Sequence, residues 1–512
     1  MEGNLTMKSK NLWTLVILGV ILALVATQCA PPTEDSAALE EARAEVAAAQ
    51  ATAEAALAEA EAAKAAAGGE AMPAEAEDKP KPYEGTVLRM LAPYEPVSWV
   101  IPDMVNEFYK ETGIRVAVDL LPGGAMLQKM VSEFQAETGF YDVFRESPSW
   151  IPDHTAAGWL EPVNNLIERD RDEIDVDDFI SSVWGTHTMV GLFPDQIWGL
   201  PLNVTTRILV YDRQLFEDPD EQAAFKEQYG YDLAPPKTTQ EWLDMAEFFT
   251  RDTDGDGEID LWGHISPQKQ GFPAATWGGQ MLAWTFGCET YDENFNASLD
   301  DPRCLESWKF GLELNQYMPD AVHAMEFYDH FTWALDGRMA MGEFLDSWVQ
   351  KLWDPNETDE PGRFGAALMP FYPDNGRGHV AGQSNLAGGL IAMNAHSKNK
   401  EATWEFMKWI TSKETARRFA TEHGILFSRK SILQDPNVLQ VHPAMPELLP
   451  VMSEAWEVTG KAAPNVPGAG AILGVLGDTW SQVAAGGADP EQALLDANAE
   501  INRILEEQGV KE

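Results

Sequence analysis

Positive charge is scarce in this 512-residue chain: 36 Lys and Arg stand against 82 Asp and Glu, a formal net charge of −46. A polyanion of this strength repels nucleic acid and anionic lipid headgroups, and no basic stripe offsets it. Cysteine is scarce as well. Three residues are too few for a disulfide scaffold, and no Cys/His cluster has zinc spacing. No apolar run reaches the roughly 20 residues of a membrane-spanning helix. The sequence also lacks G-x-S-x-G, H-E-x-x-H, the phosphate-binding G-x-x-x-x-G-K-S/T and a dinucleotide fingerprint. Its nine His are scattered. A pair of carboxylates could always be nominated among 82, so a glycosidase pair carries almost no information. No internal repeat is evident.

What is present is enough apolar material to fold. At 45% apolar and 10% aromatic residues this is not a disordered acidic protein. Its length exceeds the roughly 250–300 residues at which single cores stop growing, so two or more domains are expected.

The N-terminus carries an address. Lys8 and Lys10 precede an apolar run from Leu12 to Ala26, the length of a secretory signal core rather than of a spanning helix. Ala26-Thr27-Gln28-Cys29 comes next and resembles the lipobox of bacterial lipoproteins, with Gln28 where that motif has a small residue. Residues 1–28 are therefore expected to be a signal peptide and Cys29 a lipidated anchor, placing the remainder outside the cytoplasm on the cell membrane. Segment 29–84 reads as an Ala/Glu-rich spacer. Between Ser36 and Ala67, 18 of 32 residues are Ala, a strong helix former, and Pro73, Pro80 and Pro82 keep the end of the spacer extended. An Ala-rich coiled coil is the alternative. The acidity does not lie here: residues 85–512 hold −38 of the net charge.

The body alternates strand-like and helical patterns. Thr86–Leu91, Ile114–Val118, Tyr141–Phe144 and Thr206–Tyr211 read as strands. Met104, Val105 and Phe108, then Leu127, Met130, Val131 and Phe134, fall on helical faces. Such alternation implies a parallel sheet flanked by helices. Thr239 is positioned to cap a helix carrying Trp242, Leu243, Ala246 and Phe249.

Gly199-Leu-Pro-Leu-Asn-Val-Thr-Thr-Arg-Ile-Leu-Val-Tyr-Asp-Arg-Gln-Leu-Phe216 resembles a signature of family 1 extracellular solute-binding proteins, the sugar-binding, maltose-binding-protein-like components of ABC importers. Pro236–Leu243, Gly337–Met341 with Asp346-Ser-Trp348, Ala387–Asn394, Trp404–Ile410 and Gly424–Ser431 resemble further family segments in the same order. The resemblance covers roughly residues 85–508. It implies an α/β, two-lobed periplasmic-binding-protein-like fold of type II, with a ligand cleft between lobes joined by hinge crossings. The N-terminal lobe is expected over 85–202 plus 386–430 and the C-terminal lobe over 203–385 plus 431–512. Crossings are expected near Leu202–Thr206, Gln383–Gly388 and Arg429–Leu433.

A neutral sugar is held by aromatic rings stacked on its C–H faces and by amides and carboxylates on its hydroxyls. Trp is usually core, so family position selects among the 18 present. Trp150, Trp277 and Trp348 are the candidate stacking residues. Tyr94, Glu95 and Trp99 come after the first strand. Asn203, Thr205, Asp346, Gln383 and Asn385 complete the expected ligand-binding set.

Asp252-Thr-Asp-Gly-Asp-Gly-Glu-Ile-Asp260 resembles a calcium loop. Asp252, Asp254 and Asp256 occupy positions 1, 3 and 5, Gly257 the turn, and Glu258 and Asp260 further oxygen positions. Position 12 is Gly263 rather than Glu, and a solvated acidic turn is the alternative to a structural Ca2+ site. Cys288 and Cys304 bracket a hairpin-like excursion and, outside the cytoplasm, are expected to pair. The function implied is binding without catalysis: a monomeric, lipid-anchored protein delivering a carbohydrate, expected to be an oligosaccharide, to an ABC permease. A secreted carbohydrate-active enzyme and a sugar sensor of the same fold are the alternatives.

Overall fold

The run at Thr86–Leu91 folds, in a computed structural model of the chain, as strand β1 (Val87–Pro93), with Leu88, Met90 and Leu91 fully buried. The structure describes residues 81–511 except 189–192, 194, 327, 328, 355, 356, 379, 380, 442 and 463. The expected signal peptide, Cys29 and the spacer up to residue 80 lie outside the described residues. The helix Ile101–Thr112 packs beside β2, buries Met104, Val105 and Phe108, and stops at Gly113, whose φ of 82° favours glycine. Strands β2 (Arg115–Leu121) and β3 (Val143–Glu146) then pair with β1 in parallel on either side.

This first sheet is mixed, not all-parallel. Strand β4 is Leu200–Thr205. Four further strands intervene before β9 (Ser384–Met393), which runs antiparallel to both β3 and β4. β9 enters from the other lobe, so no helical crossover fixes its direction as it would between sequential parallel strands. Strand β10 (Gly460–Ala462) pairs in parallel with the start of β9.

The second sheet comprises β5 (Arg207–Asp212), β6 (Trp262–Ile265), β7 (Met339–Leu345) and β8 (Phe364–Ala367), ordered β6-β7-β5-β8. β7 is buried at every position, as a strand covered on both faces must be. The helix Thr239–Phe249 packs Trp242, Met245, Ala246 and Phe249 into this lobe. Its cap is Thr238, not Thr239: the Glu241 N–H donates to the Thr238 hydroxyl, and the Thr238 N–H donates back to the Glu241 carboxylate. Thr239 is instead buried in the first turn. Helices Ala469–Ala484 and Pro490–Glu507 cover Ala275–Leu282 and Pro302–Asn315 in the same lobe. Cys288 and Cys304 form a disulfide across the excursion, whose two arms meet at Tyr291 and Ala297.

The sheets exchange chain at a few points. Only Thr206 separates β4 from β5, so the first sheet extends past residue 202 to Thr205. β9 begins in the first sheet at Ser384, slightly ahead of residue 386. The third exchange is later than Arg429–Leu433. The Lys430 ammonium donates to the Asp177 carbonyl and the Ser181 hydroxyl, and Ser431 donates to Asp178, tying that segment to the first lobe. The helix Met445–Glu454 is what reaches β8, and Glu447 there pairs with Arg213. β10 then lies in the first sheet although residues 431–512 were expected in the second lobe, because its backbone completes the open edge of β9.

Two histidines are sealed into the second lobe. His264 stacks on Trp277 and accepts from the Trp242 indole N–H, while His330 touches Phe344 and approaches the Glu343 carbonyl at 2.8 Å. Burial pushes both down to a pKa of about 3, with mutual repulsion adding at His264 and Arg207 at His330. Unfolding returns them to about 6.5. Because each folded pKa is depressed, their contribution is whole above pH 6.5 and declines as the unfolded chain takes up protons below it. The unfolding free energy of wild type relative to His330→Phe should therefore fall by up to about 1 kcal/mol per pH unit between pH 6.5 and 4. Denaturant titrations at several pH values check this, and parallel pH profiles would contradict it.

Candidate functional site

The ends of β1, β3, β4, β7 and β9 converge on a cavity of about 330 Å3 between the sheets. In α/β folds ligands collect beyond the carboxyl ends of parallel strands, here β1 and β3. β1 ends in Pro93 and delivers Glu95; β3 delivers Arg145, then Ser147 and Trp150 on its loop. From the second lobe come Arg207, Phe272, Asp346 and Trp348. The wall is mixed, rings beside paired charges.

Of the expected binding residues, Glu95, Trp150, Asn203, Thr205, Asp346, Trp348 and Asn385 all line this cavity. Tyr94 and Trp99 do not; they stand exposed beside it, their rings 5.2 Å apart. Trp277 is a correction. It is 1% exposed and packs between Trp242 and His264 in the second-lobe core, because the wide, π-type helical turns of Ala275–Leu282 aim it inward. Gln383 is also a correction: it lies buried behind the wall, its N–H donating to the Thr285 hydroxyl.

Arg145 was not foreseen. It is 5% exposed, held 2.7 Å from Glu95, and donates to the Asn203 side-chain carbonyl at 3.2 Å. Its guanidinium crosses Gly389, where a Cβ would come within 2.4 Å of it; only glycine leaves that room. The signal available was a charged pair, Arg145-Glu146, closing a short strand that opens with Val143 and Phe144. Arg207 was likewise missed, bound at 2.5–2.6 Å to Glu343 inside the second sheet. Nothing in the sequence pointed to Trp456, which joins the cavity from far along the chain.

Asp346 differs from its expected role. It is fully buried, and its carboxylate accepts from the Thr205 hydroxyl at 2.5 Å, the Thr206 N–H at 3.1 Å and the Trp456 indole N–H at 2.6 Å. The Thr206 hydroxyl continues to Ser384 and the Asn385 carbonyl. One carboxylate at the end of β7 thus ties together β4, Thr206 and the 455–459 segment, and Thr206 extends the network to β9. Burial pushes its pKa up to about 6, against the opposing pull of those donors. The raised value means that this group favours the fold more as pH falls from about 6 towards 4.

The acidic loop brings Asp252, Asp254 and Asp260 together, with carboxylate oxygens within 4.8 Å of one another. Asp256 and Glu258 stand outside that group. Backbone N–H groups of Gly257 and Gly255 donate to Asp252 and hold its pKa below the ordinary range; Thr253 does the same for Asp260. The donors are hard, ionised oxygens, which suits calcium. Gly263 can supply no twelfth-position ligand, since a Cβ there would lie 1.9 Å from the Ala246 carbonyl.

Two α/β lobes sharing a hinge above a ring-and-charge-lined cavity define a hinged, two-lobed ligand-binding protein. The chain belongs to the bacterial extracellular solute-binding protein family, whose model matches residues 97–417. It is 24% identical to the erythritol/L-threitol-binding protein of Mycolicibacterium smegmatis, over 67% of this chain and 69% of that one. It is 22% identical to the maltotriose-binding protein of Pyrococcus abyssi, over 70% and 68%. The ribitol complex of an ABC transporter solute-binding protein from Agrobacterium radiobacter superposes with a TM-score of 0.69 at 24% identity, over 83% of this chain and all of that one. No helix among the described residues is long and apolar enough to cross a membrane.

The Asp346 junction makes a stability prediction. Asp346→Ala leaves the Thr206 N–H and the Trp456 indole without an acceptor and should lower the unfolding free energy by about 2–4 kcal/mol. Asp346→Asn, which keeps one acceptor oxygen, should cost less. Urea titration measures both, and an Ala variant as stable as wild type would refute the assigned role.

Proposed function

We propose that the protein captures a carbohydrate, in our reading an oligosaccharide, outside the cytoplasm and delivers it to an ABC permease. The observation that carries this is the cavity itself: Trp150 and Trp348 line it with aromatic rings, while Glu95, Arg145, Asn203 and Asn385 offer directional polar groups. Glu95 against Arg145 leaves the wall without a dominant charge, which suits a neutral polyhydroxyl ligand. Relatives that bind erythritol, mannitol and maltotriose support the class. A ligand touching both lobes favours their closure, and a permease can then distinguish loaded from empty protein. Lipidation at Cys29, with the spacer as tether, keeps the binder beside its permease at high effective concentration. A structural calcium ion in the Asp252, Asp254, Asp260 loop belongs to the same reading, with the protein acting as a monomer.

A thermal-shift panel of alditols, monosaccharides and malto-oligosaccharides, run in calcium and in EDTA, tests ligand and metal together. A cognate sugar at 100 times its Kd should add about 2.7 kcal/mol. Stoichiometric binding with the sugar recovered intact supports capture; consumption of the sugar supports the enzyme alternative. Melting temperatures identical in calcium and EDTA would remove the metal from the reading.

A further inference from the structure

Strand β3 closes on Arg145-Glu146, and the two-residue period of a strand sends these side chains opposite ways. Arg145 lines the cavity. Glu146 points behind it, where Nδ1 of His154 lies 3.0 Å from its carboxylate. The rings of Phe134 and Trp159 close around His154, and both members of the pair are sealed from water. The pair staples together the ends of the loop between them, residues 147–153. Within that loop the Trp150 N–H donates to the Ser147 carbonyl at 2.9 Å, and the His154 N–H donates to the Trp150 carbonyl at 3.1 Å. Trp150, which lines the cavity, and Asp153 therefore ride on one stiff bracket of the first lobe.

Asp153 leaves its own lobe. Its carboxylate accepts from the Gly468 N–H at 2.7 Å. Gly468 belongs to the second lobe: it opens the 16-residue helix Ala469–Ala484, which packs on Ala275–Leu282. It is held tightly there, since a Cβ on it would come 2.8 Å from Ile504 and 3.0 Å from Gln508, and its φ of 83° favours glycine. As the capping residue it has no side chain to offer the first-turn N–H groups. The negative group at this positive helix end is instead supplied by the facing lobe. The chain arrives at Gly468 from β10 in the first sheet, and on the way the second lobe takes hold of it twice. Lys461 pairs with Glu289, and the Asn465 N–H donates to the Tyr291 hydroxyl at 3.1 Å. Asp153 is the grip of the first lobe on the same passage.

We propose that Asp153 is a positioning residue for ligand capture, coupling the Trp150 loop of one lobe to the helix Ala469–Ala484 of the other. It acts through Gly468 and lies outside the cavity wall. One partner rides on each lobe, so rotation of the lobes changes their separation, and the bond holds the angle seen here. A ligand pressing on Trp150 and the angle between the lobes are then set together. The coupling requires only the two-lobed binding fold and is independent of which solute is bound.

Hydrogen exchange of the unliganded full chain, read by mass spectrometry, tests the coupling without a ligand. Asp153→Ala should speed exchange at residues 464–470 and also at the two cavity walls, 147–150 and 345–348. Asp153→Asn, whose carbonyl oxygen can still accept from the Gly468 N–H, should follow wild type. Acceleration confined to 464–470, or spread evenly over the chain as lost stability alone would spread it, would overturn the proposal. Stopped-flow binding of ribitol and maltotriose gives the second readout. For whichever wild type binds, Asp153→Ala should release it about tenfold faster with the association rate unchanged, the loss expected for one hydrogen bond to a charged group. Unchanged release would overturn the coupling. Binding of neither sugar counts against carbohydrate capture, while the exchange pattern still decides the role of Asp153.

Discussion

The buried carboxylate of Asp346 is the constraint on which the two-lobed arrangement depends. Thr206 alone separates the last strand of one sheet from the first strand of the other, and its N–H donates to Asp346 while the Asp346 N–H donates to its carbonyl. Trp456 and Thr205 fill the remaining positions. A hinge needs a point that holds while the lobes rotate, made of short backbone passages rather than of apolar packing. Burying a carboxylate is costly unless donors surround it, and here the donors come from the first passage, at Thr205 and Thr206, and from Trp456 far along the chain. Its pKa near 6 records how far burial prevails over those bonds.

Around that point the cavity is built from opposites. Arg145 is drawn from solvent by Glu95 and Asn203, and Arg207 is held inside the second sheet by Glu343. Each cation is neutralised by a partner from its own lobe, so neither lobe presents an unpaired guanidinium to the cavity. The tryptophans between these pairs supply area without charge. The strongly negative body of the chain therefore presents a locally balanced cavity, a separation that net charge alone could not reveal.

Much of the fold was legible because it rests on local patterns. The alternation at Thr86–Leu91, the helical face of Met104, Val105 and Phe108, and the Gly113 stop each report their own structure within a few residues. The family signature from Gly199 to Phe216 located the first hinge passage. The direction of β9, the late third passage and the place of β10 were not legible, because strand order is settled by which edge is free once the lobes have formed. Thr238 rather than Thr239 as helix cap turned on one residue of register.

Among site residues the same division holds. Glu95, Trp150, Thr205 and Trp348 were readable because they end strands or sit directly after them, and Asn203 and Asn385 because they lie in β4 and at the start of β9, where the chain passes between lobes. Trp277 reads like a cleft residue, but the wide helical turns at Ala275–Leu282 rotate it into the core. Arg145 and Trp456 had no sufficient local signal, since one depends on a glycine more than 200 residues away in sequence and the other on a carboxylate brought from β7. The sequence by itself determined the elements, the family and the chemistry available, because propensity, periodicity and motif are short-range properties. The tertiary structure alone decided which rings line the cavity, which face the core, and that Asp346 ties the two sheets where the chain passes between them, because those depend on what burial places opposite each side chain.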